Sequence, residues 1–218
     1  MAKQYDLIVW DWDGTLADSA GMITNAIVKA AEQVGLPPLT PQAASSIIGL
    51  GLPEAIDALY KDISADQAKA LATHYNINYF AGESEILLFP GAADFIKTLN
   101  RRGFKLAVAT GKSRRGLNLA LEHTQLRRYF HATRTVDECF SKPHPQMLDE
   151  LMDDLVVLPE RTLMIGDTSY DLQMAKNAGV QAIGVTYGAQ SSSQWKGLDP
   201  IQQFDDFASM SQWLLEYA

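Results

Sequence analysis

Two carboxylates set two positions apart, Asp11 and Asp13, follow four consecutive apolar residues, Leu7–Trp10, and are themselves followed by Gly14 and Thr15. Farther along come Thr110, at the end of a second apolar run, Lys142 in the proline-bounded stretch 141–145, and Asp167 and Asp171 after another apolar run. Gathered in one place, these four carboxylates, a hydroxyl and an ammonium are suited to handling a phosphoryl group. The acids would repel one another without a cation. Carboxylate oxygens favour a hard ion, and Mg²⁺ is usually held by one or two carboxylates, water and a substrate phosphate. Each residue alone has a plainer reading. Asp-x-Asp-Gly is turn chemistry, Thr110 or Asp167 can cap a helix, Asp171 suits a helix first turn, and Lys142 is by default a surface lysine. Their joint order and spacing is what chance does not readily supply.

The elements that must position them follow from the apolar pattern. Residues 7–10 read as a strand buried on both faces, as in a parallel sheet. Its C-terminal end is where ligands bind in open parallel sheets, so it delivers Asp11 and Asp13 to that edge. Residues 104–109, 130–135, 162–165 and 182–185 read as further strands, the last being the final clear one, and helices lie between them from residue 91 onward. Such alternation implies right-handed crossovers and a parallel sheet covered on both faces.

The stretch between the first strand and Pro90 has no strand pattern. Residues 22–34 repeat at helical spacing, with Ser19 as N-cap and Gly35 as stop; Thr40-Pro41 and Pro53 open further helices, and Ser64-Ala65-Asp66-Gln67 has capping-box spacing. This reads as a separate helical domain, with residues 17–19 and 82–90 as its hinges. Its loop Gly49-Leu50-Gly51-Leu52-Pro53 can bring backbone close to a ligand and close over it.

The chain of 218 residues, 47% hydrophobic, is long enough for one substantial core plus a small second domain. A formal charge of −8 argues against a general nucleic-acid or anionic-membrane binder. The basic pairs Arg101-Arg102, Arg114-Arg115 and Arg127-Arg128 read as solvated helix ends. One cysteine, Cys139, excludes an internal disulfide and a cysteine-built zinc cluster. Residues 1–6 do not read as a signal peptide, and no apolar run approaches the roughly 18 residues of a membrane span, so the cytoplasm is the expected compartment.

In this set of motifs the sequence resembles the haloacid dehalogenase superfamily of hydrolases, and within it the phosphoglycolate-phosphatase-like group with a helical cap. Asp11-Trp12-Asp13-Gly14-Thr15 is similar to its first motif, Thr110 to its second, Lys142 in Lys-Pro-x-Pro to its third, and Gly166-Asp167-x-x-x-Asp171 to its fourth. Trp10 and Trp12 depart from the more usual Phe and aliphatic. The resemblance implies an α/β fold: a Rossmann-like parallel sheet covered by helices on both faces (residues 1–16 and 86–218) with an inserted all-α cap (17–85). It implies a phosphatase for a small-molecule phosphate ester; no sequence feature chooses between a monomer and a homodimer. Asp11 would be the nucleophile that carries an aspartyl-phosphate. Asp13 would protonate the leaving alcohol and then activate water, while Thr110 and Lys142 hold phosphoryl oxygens. Mg²⁺ would be held by Asp11, the Asp13 backbone carbonyl, Asp167 and Asp171. Gly111 and Lys112, with Gly49, Leu50 and Gly51 of the cap loop, are the expected substrate-contacting residues.

Other readings fit less of the chain. A P-loop ending in Gly111-Lys112-Ser113 would need glycine at position 106, which is Leu106; a cysteine phosphatase would need arginine where Pro145 stands. Dehalogenation and phosphonate cleavage have no use for Asp13. A sugar-phosphate mutase is the nearest enzymatic rival, since the same acid/base aspartate serves transfer to a second hydroxyl. A receiver-type phosphoacceptor module has no place for the helical insertion. His74, His123 and His131 lack ligand spacing, and His144 reads as support for the Lys142 loop.

Overall fold

The four residues of β1 (Leu7–Trp10) are fully shielded from solvent, because the strand lies in the middle of a sheet with helices on both sides. In the computed structural model, which describes residues 4–82 and 86–217, five more strands join it: β2 (Lys105–Thr110), β3 (Ala132–Thr135), β4 (Thr162–Gly166), β5 (Gln181–Val185) and β6 (Gln202–Phe204). Their order is β3-β2-β1-β4-β5-β6, and every neighbouring pair is parallel. The chain builds outward from β1 on one side and then crosses to β4 on the other. The direction of winding therefore reverses between β1 and β4, which opens a crevice at their C-terminal ends.

The sequence reading ended the sheet at residues 182–185, and β6 extends it. Gln202 and Gln203 are exposed on this three-residue edge strand, so neither an apolar run nor an alternation announces it. Its pairing with β5, Gly184 opposite Gln203, makes it a strand.

Between β1 and β2 the chain forms α1 (Ala20–Val34), α2 (Pro41–Ser46), α3 (Leu52–Leu59) and α4 (Ala65–Gly82), a helical insert with its own apolar cluster. Small residues on α1, Ala30 and Ala31, let it pack closely on Leu71 of α4. Local chemistry sets the ends. Gly35 takes a left-handed φ of 72° after α1, and Ser64 and Gln67 exchange the two hydrogen bonds of a capping box before α4, at 3.1 and 3.2 Å. The two connecting segments run side by side: Asp18 N–H donates to Leu87 O and Phe89 N–H to Leu16 O, both at 2.9 Å. Of the second expected hinge, Glu83, Ser84 and Glu85 lie outside the described residues.

The remaining helices are α5 (Ala92–Arg101), α6 (Arg114–His123), α7 (Gln146–Leu155), α8 (Ser169–Asn177) and α9 (Phe207–Tyr217). Strand alternation assigns them to two layers. Ile8 and Trp10 pack with α5, α6 and α9, while Leu7 and Val9 pack with α7 and α8. Among the described residues no helix is long and apolar enough to cross a membrane.

Trp10 is one of two tryptophans buried in its layer, edge-on to Phe95 at 6.2 Å and stacked on Phe207 at 6.4 Å, with its indole N–H unpartnered. Trp10→Ala should cost about 3–5 kcal/mol in urea unfolding. Trp10→Phe should cost under about 1.5 kcal/mol, because removing a buried unpaired N–H offsets part of the lost volume.

Candidate active site

Asp11 leaves the end of β1 with its backbone N–H still bonded to Ile165 O of β4 (2.9 Å), so its side chain is held in the crevice between the two strands. Lys142 reaches it from the loop after β3: Nζ donates to Asp11 Oδ1 and to Asp171 Oδ1, both at 2.6 Å, and all three residues are buried. Asp171 is fixed from its other oxygen, where Oδ2 accepts from Thr168 N–H (3.0 Å) and Thr168 Oγ (2.7 Å) in the capping box of α8. Thr168, not Asp167, is therefore the N-cap. Asp167 is free to turn inward, where Oδ1 accepts from Thr15 Oγ (3.0 Å) and Oδ2 from Ala189 N–H (2.7 Å). The chain crowds these acids. A Cβ at Gly14 would come 2.2 Å from Asp167 Oδ2, and one at Gly166 would come 2.3 Å from Asp171 Cβ.

Oxygens of Asp11, Asp167 and Asp171 lie within 4.8 Å of one another, and Asp11 Oδ2 is buried without a hydrogen-bond partner. Three carboxylates face one ammonium in a dry space. Burial pushes Asp11 well above the ordinary carboxylate range; Lys142 opposes that, and the charges of Asp171 and Asp167 add to it. Burial, reinforced by Asp171, raises Asp167 to about 7. Burial works against the charge on Lys142, but Asp11 and Asp171 together hold it above its ordinary value. An unpartnered oxygen amid surplus negative charge fits a hard divalent cation, and these residues could hold one.

Asp13 lies apart from this cluster. Its Oδ1 accepts from Ser19 Oγ (2.7 Å) and Lys112 Nζ (3.3 Å), and Lys112 also hydrogen-bonds the hydroxyl of Tyr79 from α4. Ser19 does occupy the N-cap position of α1, but makes no side-chain cap bond; its hydroxyl is drawn to Asp13 instead. The side chain of Asp13 thus stays outside the three-acid group, and among the expected metal contacts only its backbone carbonyl remains available as a ligand from this residue.

Asp11, Asp13, Thr110, Gly111, Lys112, Gly49 and Leu50 line one cavity of about 250 Å³ between sheet edge and insert. Gly51 does not line it; its N–H donates to Ser141 Oγ (2.9 Å). The basic pair Arg114-Arg115 stays outside too. Arg114 bonds Glu138 and Thr133, and Arg115 lies over the Phe80 ring. His144 is part of the Lys142 loop, its Nδ1 accepting from Gln146 N–H at 3.2 Å. Sequence reasoning missed Thr15 and Ala189 beside Asp167, and Tyr75, Asn76 and Tyr79 on the cavity wall. Thr15 sat within the first motif and was the one with a signal. The α4 residues had none, since helical spacing does not say which turn of a helix meets a distant strand end.

With the acid cluster free of divalent cation, folding stability should depend on pH in a definite direction. Raised carboxyl groups at Asp11 and Asp167 contribute stability that is fully present below about pH 4, and the share from Asp167 is lost as pH rises through about 7. Thermal unfolding in chelator should show this decline, flattened in Asp167→Asn. Lys142→Met should cost about 3–5 kcal/mol at pH 8, because it leaves buried carboxylates unpaired.

The comparisons with known proteins agree with this geometry. Residues 8–185 match the haloacid dehalogenase-like hydrolase family model. The chain is 33% identical to a phosphoglycolate phosphatase of Rhodospirillum rubrum, covering 95% of this chain and 90% of that one. It is 32% identical to the protein named probable phosphatase IndB of Dickeya dadantii, with 94% and 91% covered. The crystal structure of a predicted phosphoglycolate phosphatase from Haemophilus somnus superposes with a TM-score of 0.85 at 26% identity, over 97% of this chain and 99% of that one. With its parallel sheet, helical insert and clustered acids, the chain belongs to the haloacid dehalogenase-like hydrolases, as a hydrolase of the phosphatase type.

Proposed function

We propose that this chain is a Mg²⁺-dependent phosphatase for a small phosphate monoester, working through a phosphorylated Asp11. The observation that carries the reading is the difference between the two first-motif acids: Asp11 is sealed in the three-acid cluster with Oδ2 unpartnered, and Asp13 sits across the cavity between Ser19 and Lys112. A carboxylate oxygen of Asp11 attacks phosphorus, the bond from phosphorus to the ester oxygen breaks, and Asp13 passes its proton to the departing alcohol. Asp13 then takes a proton from water as that water attacks phosphorus. The bond to Asp11 breaks, releasing inorganic phosphate. Thr110 and Lys142 hold phosphoryl oxygens, and Lys142 balances part of the charge of Asp11 and Asp171. When bound at Asp11, Asp167, Asp171 and the Asp13 carbonyl, Mg²⁺ supplies positive charge that lets a phosphate dianion enter an acidic site.

The division into a core of residues 1–16 and 86–218 and a cap of residues 17–85 belongs to the same proposal, with the cap closing the site. The cavity is largely apolar on the cap side, where Ile23, Ile47, Ile48 and Leu50 contribute, and Lys112 is the cation lining it. That supports a leaving group that is small and carries one negative charge, in keeping with the phosphoglycolate phosphatases among its relatives. A sugar-phosphate mutase remains the second reading, since Tyr75, Asn76 and Ser113 also line the cavity and could meet sugar hydroxyls.

Hydrolysis of p-nitrophenyl phosphate should require Mg²⁺ and cease in excess chelator; undiminished turnover there would refute the metal assignment. Asp11→Asn should abolish turnover with every leaving group. Asp13→Asn should slow turnover about 10²- to 10⁴-fold while keeping a burst of nitrophenolate. Rapid quench with intact-mass analysis should find phosphate on Asp11 in that variant. Equal losses on aryl and alkyl esters without phosphoenzyme would remove Asp13 from its role.

A further inference from the structure

The end of α2 and the loop joining it to α3 are seated on the sheet edge by contacts with the loops after β2 and β3 and with the loop and first turn of α8 after β4. After β2, Gly111 meets its backbone directly: a Cβ built on Gly111 would lie 2.6 Å from both Gly49 O and Leu50 O. After β3, Ser141 Oγ accepts the Gly51 N–H at 2.9 Å. After β4, the Tyr170 hydroxyl donates to Ser46 O at 3.1 Å, and Gly49 lies against Thr168, whose Oγ would be 3.0 Å from an added Cβ. With the loop in place, Asp11 is 1% exposed and Asp13 7%.

We propose that Gly111, Ser141 and Tyr170 form a seat for the cap loop and set how far the closed state is populated, with Gly111 as its steric determinant. Asp11 and Asp13 line a cavity that Gly49 and Leu50 of this loop also line, so movement of the loop alters access to the acids and its return helps exclude water. The seat decides whether it returns to the same place. Gly111 is not required by its own backbone conformation, since its φ is outside the left-handed region. What it supplies is the absence of a side chain. The atoms that an alanine there would strike are backbone carbonyls, which cannot swing aside as a flexible side-chain end does. Ser141 and Tyr170 add one hydrogen bond each, at either end of the same loop. All three are positioning residues, and only the kinetic consequence rests on the phosphatase reading given above.

The test is amide hydrogen exchange of segment 46–52 in the full chain with Mg²⁺ and inorganic phosphate present, for the wild type, Gly111→Ala, Ser141→Ala, Ser141→Thr and Tyr170→Phe. Ser141→Ala and Tyr170→Phe should speed exchange in this segment roughly five- to tenfold, the population change that loss of one hydrogen bond produces. Gly111→Ala should speed it further. Exchange in β1 and β4 should stay at the wild-type rate, and Ser141→Thr, which keeps the hydroxyl, should restore protection. Where turnover is measured, kcat/KM for an alkyl phosphate should fall about 10²-fold in Gly111→Ala, the scale expected of a misplaced reacting geometry. Wild-type exchange of segment 46–52 in a folded Gly111→Ala protein would overturn the proposal. Should that variant not fold, wild-type exchange in both Ser141→Ala and Tyr170→Phe would overturn it equally. Because exchange is read without turnover, a chain inactive on every phosphate ester would refute the functional reading and leave the exchange rates to decide the seat.

Discussion

A buried ammonium held between two buried carboxylates organises this molecule. Lys142 bonds Asp11 and Asp171 at 2.6 Å each, with no part of its side chain exposed. Placing an ion in a dry interior costs several kcal/mol unless close partners of opposite charge receive it. That cost constrains everything around it. β1 and β4 have to be neighbours so that Asp11 and Asp171 converge, and the loop after β3 has to reach across from beyond β2. The capping box of α8 then grips the far oxygen of Asp171, so the pair cannot be relieved by rotating that side chain away.

The bridge neutralises the cluster only in part. Asp167 adds a further acid, and its two oxygens are oriented by Thr15 and by Ala189 from loops at opposite ends of the chain. What remains is an excess of negative charge and one unpartnered oxygen on Asp11, arranged around a space that suits a cation. Stability and function pull against each other at this point, since a neutral or apolar cluster would pack at lower cost.

Two aspartates separated by one residue thus live in different surroundings. Asp11 belongs to the sheet and is sealed with the other acids. Asp13 stands at the junction with the helical insert, held by Ser19 at the start of α1 and by Lys112, itself bonded to Tyr79 of α4. Environment rather than residue type is what sets two identical carboxyl groups apart here. It also ties the second acid physically to the insert that covers the cavity.

Much of this was legible in the sequence because it is local. The buried run 7–10, the interruption at Gly49 to Pro53, the capping box at Ser64 and Gln67, and acids placed just after apolar runs all follow from periodicity and turn chemistry within a few residues. Asp11, Lys142, Asp167 and Asp171 meet in one cluster, and Asp13 and Thr110 share a cavity wall with Asp11, because a parallel sheet carries its strand ends to one edge. Only the tertiary structure decided the pairings. Ser19 leaves its expected capping bond for Asp13, Gly51 turns its amide to Ser141 instead of the cavity, and two glutamines become the edge strand β6. Lys142 meets Asp11 across 131 positions of sequence. Local pattern sets the element a residue occupies and the end of the sheet it reaches. Which donor meets which acceptor there depends on strand order and on how loops from distant parts of the chain crowd one edge, and no short stretch of sequence contains that information.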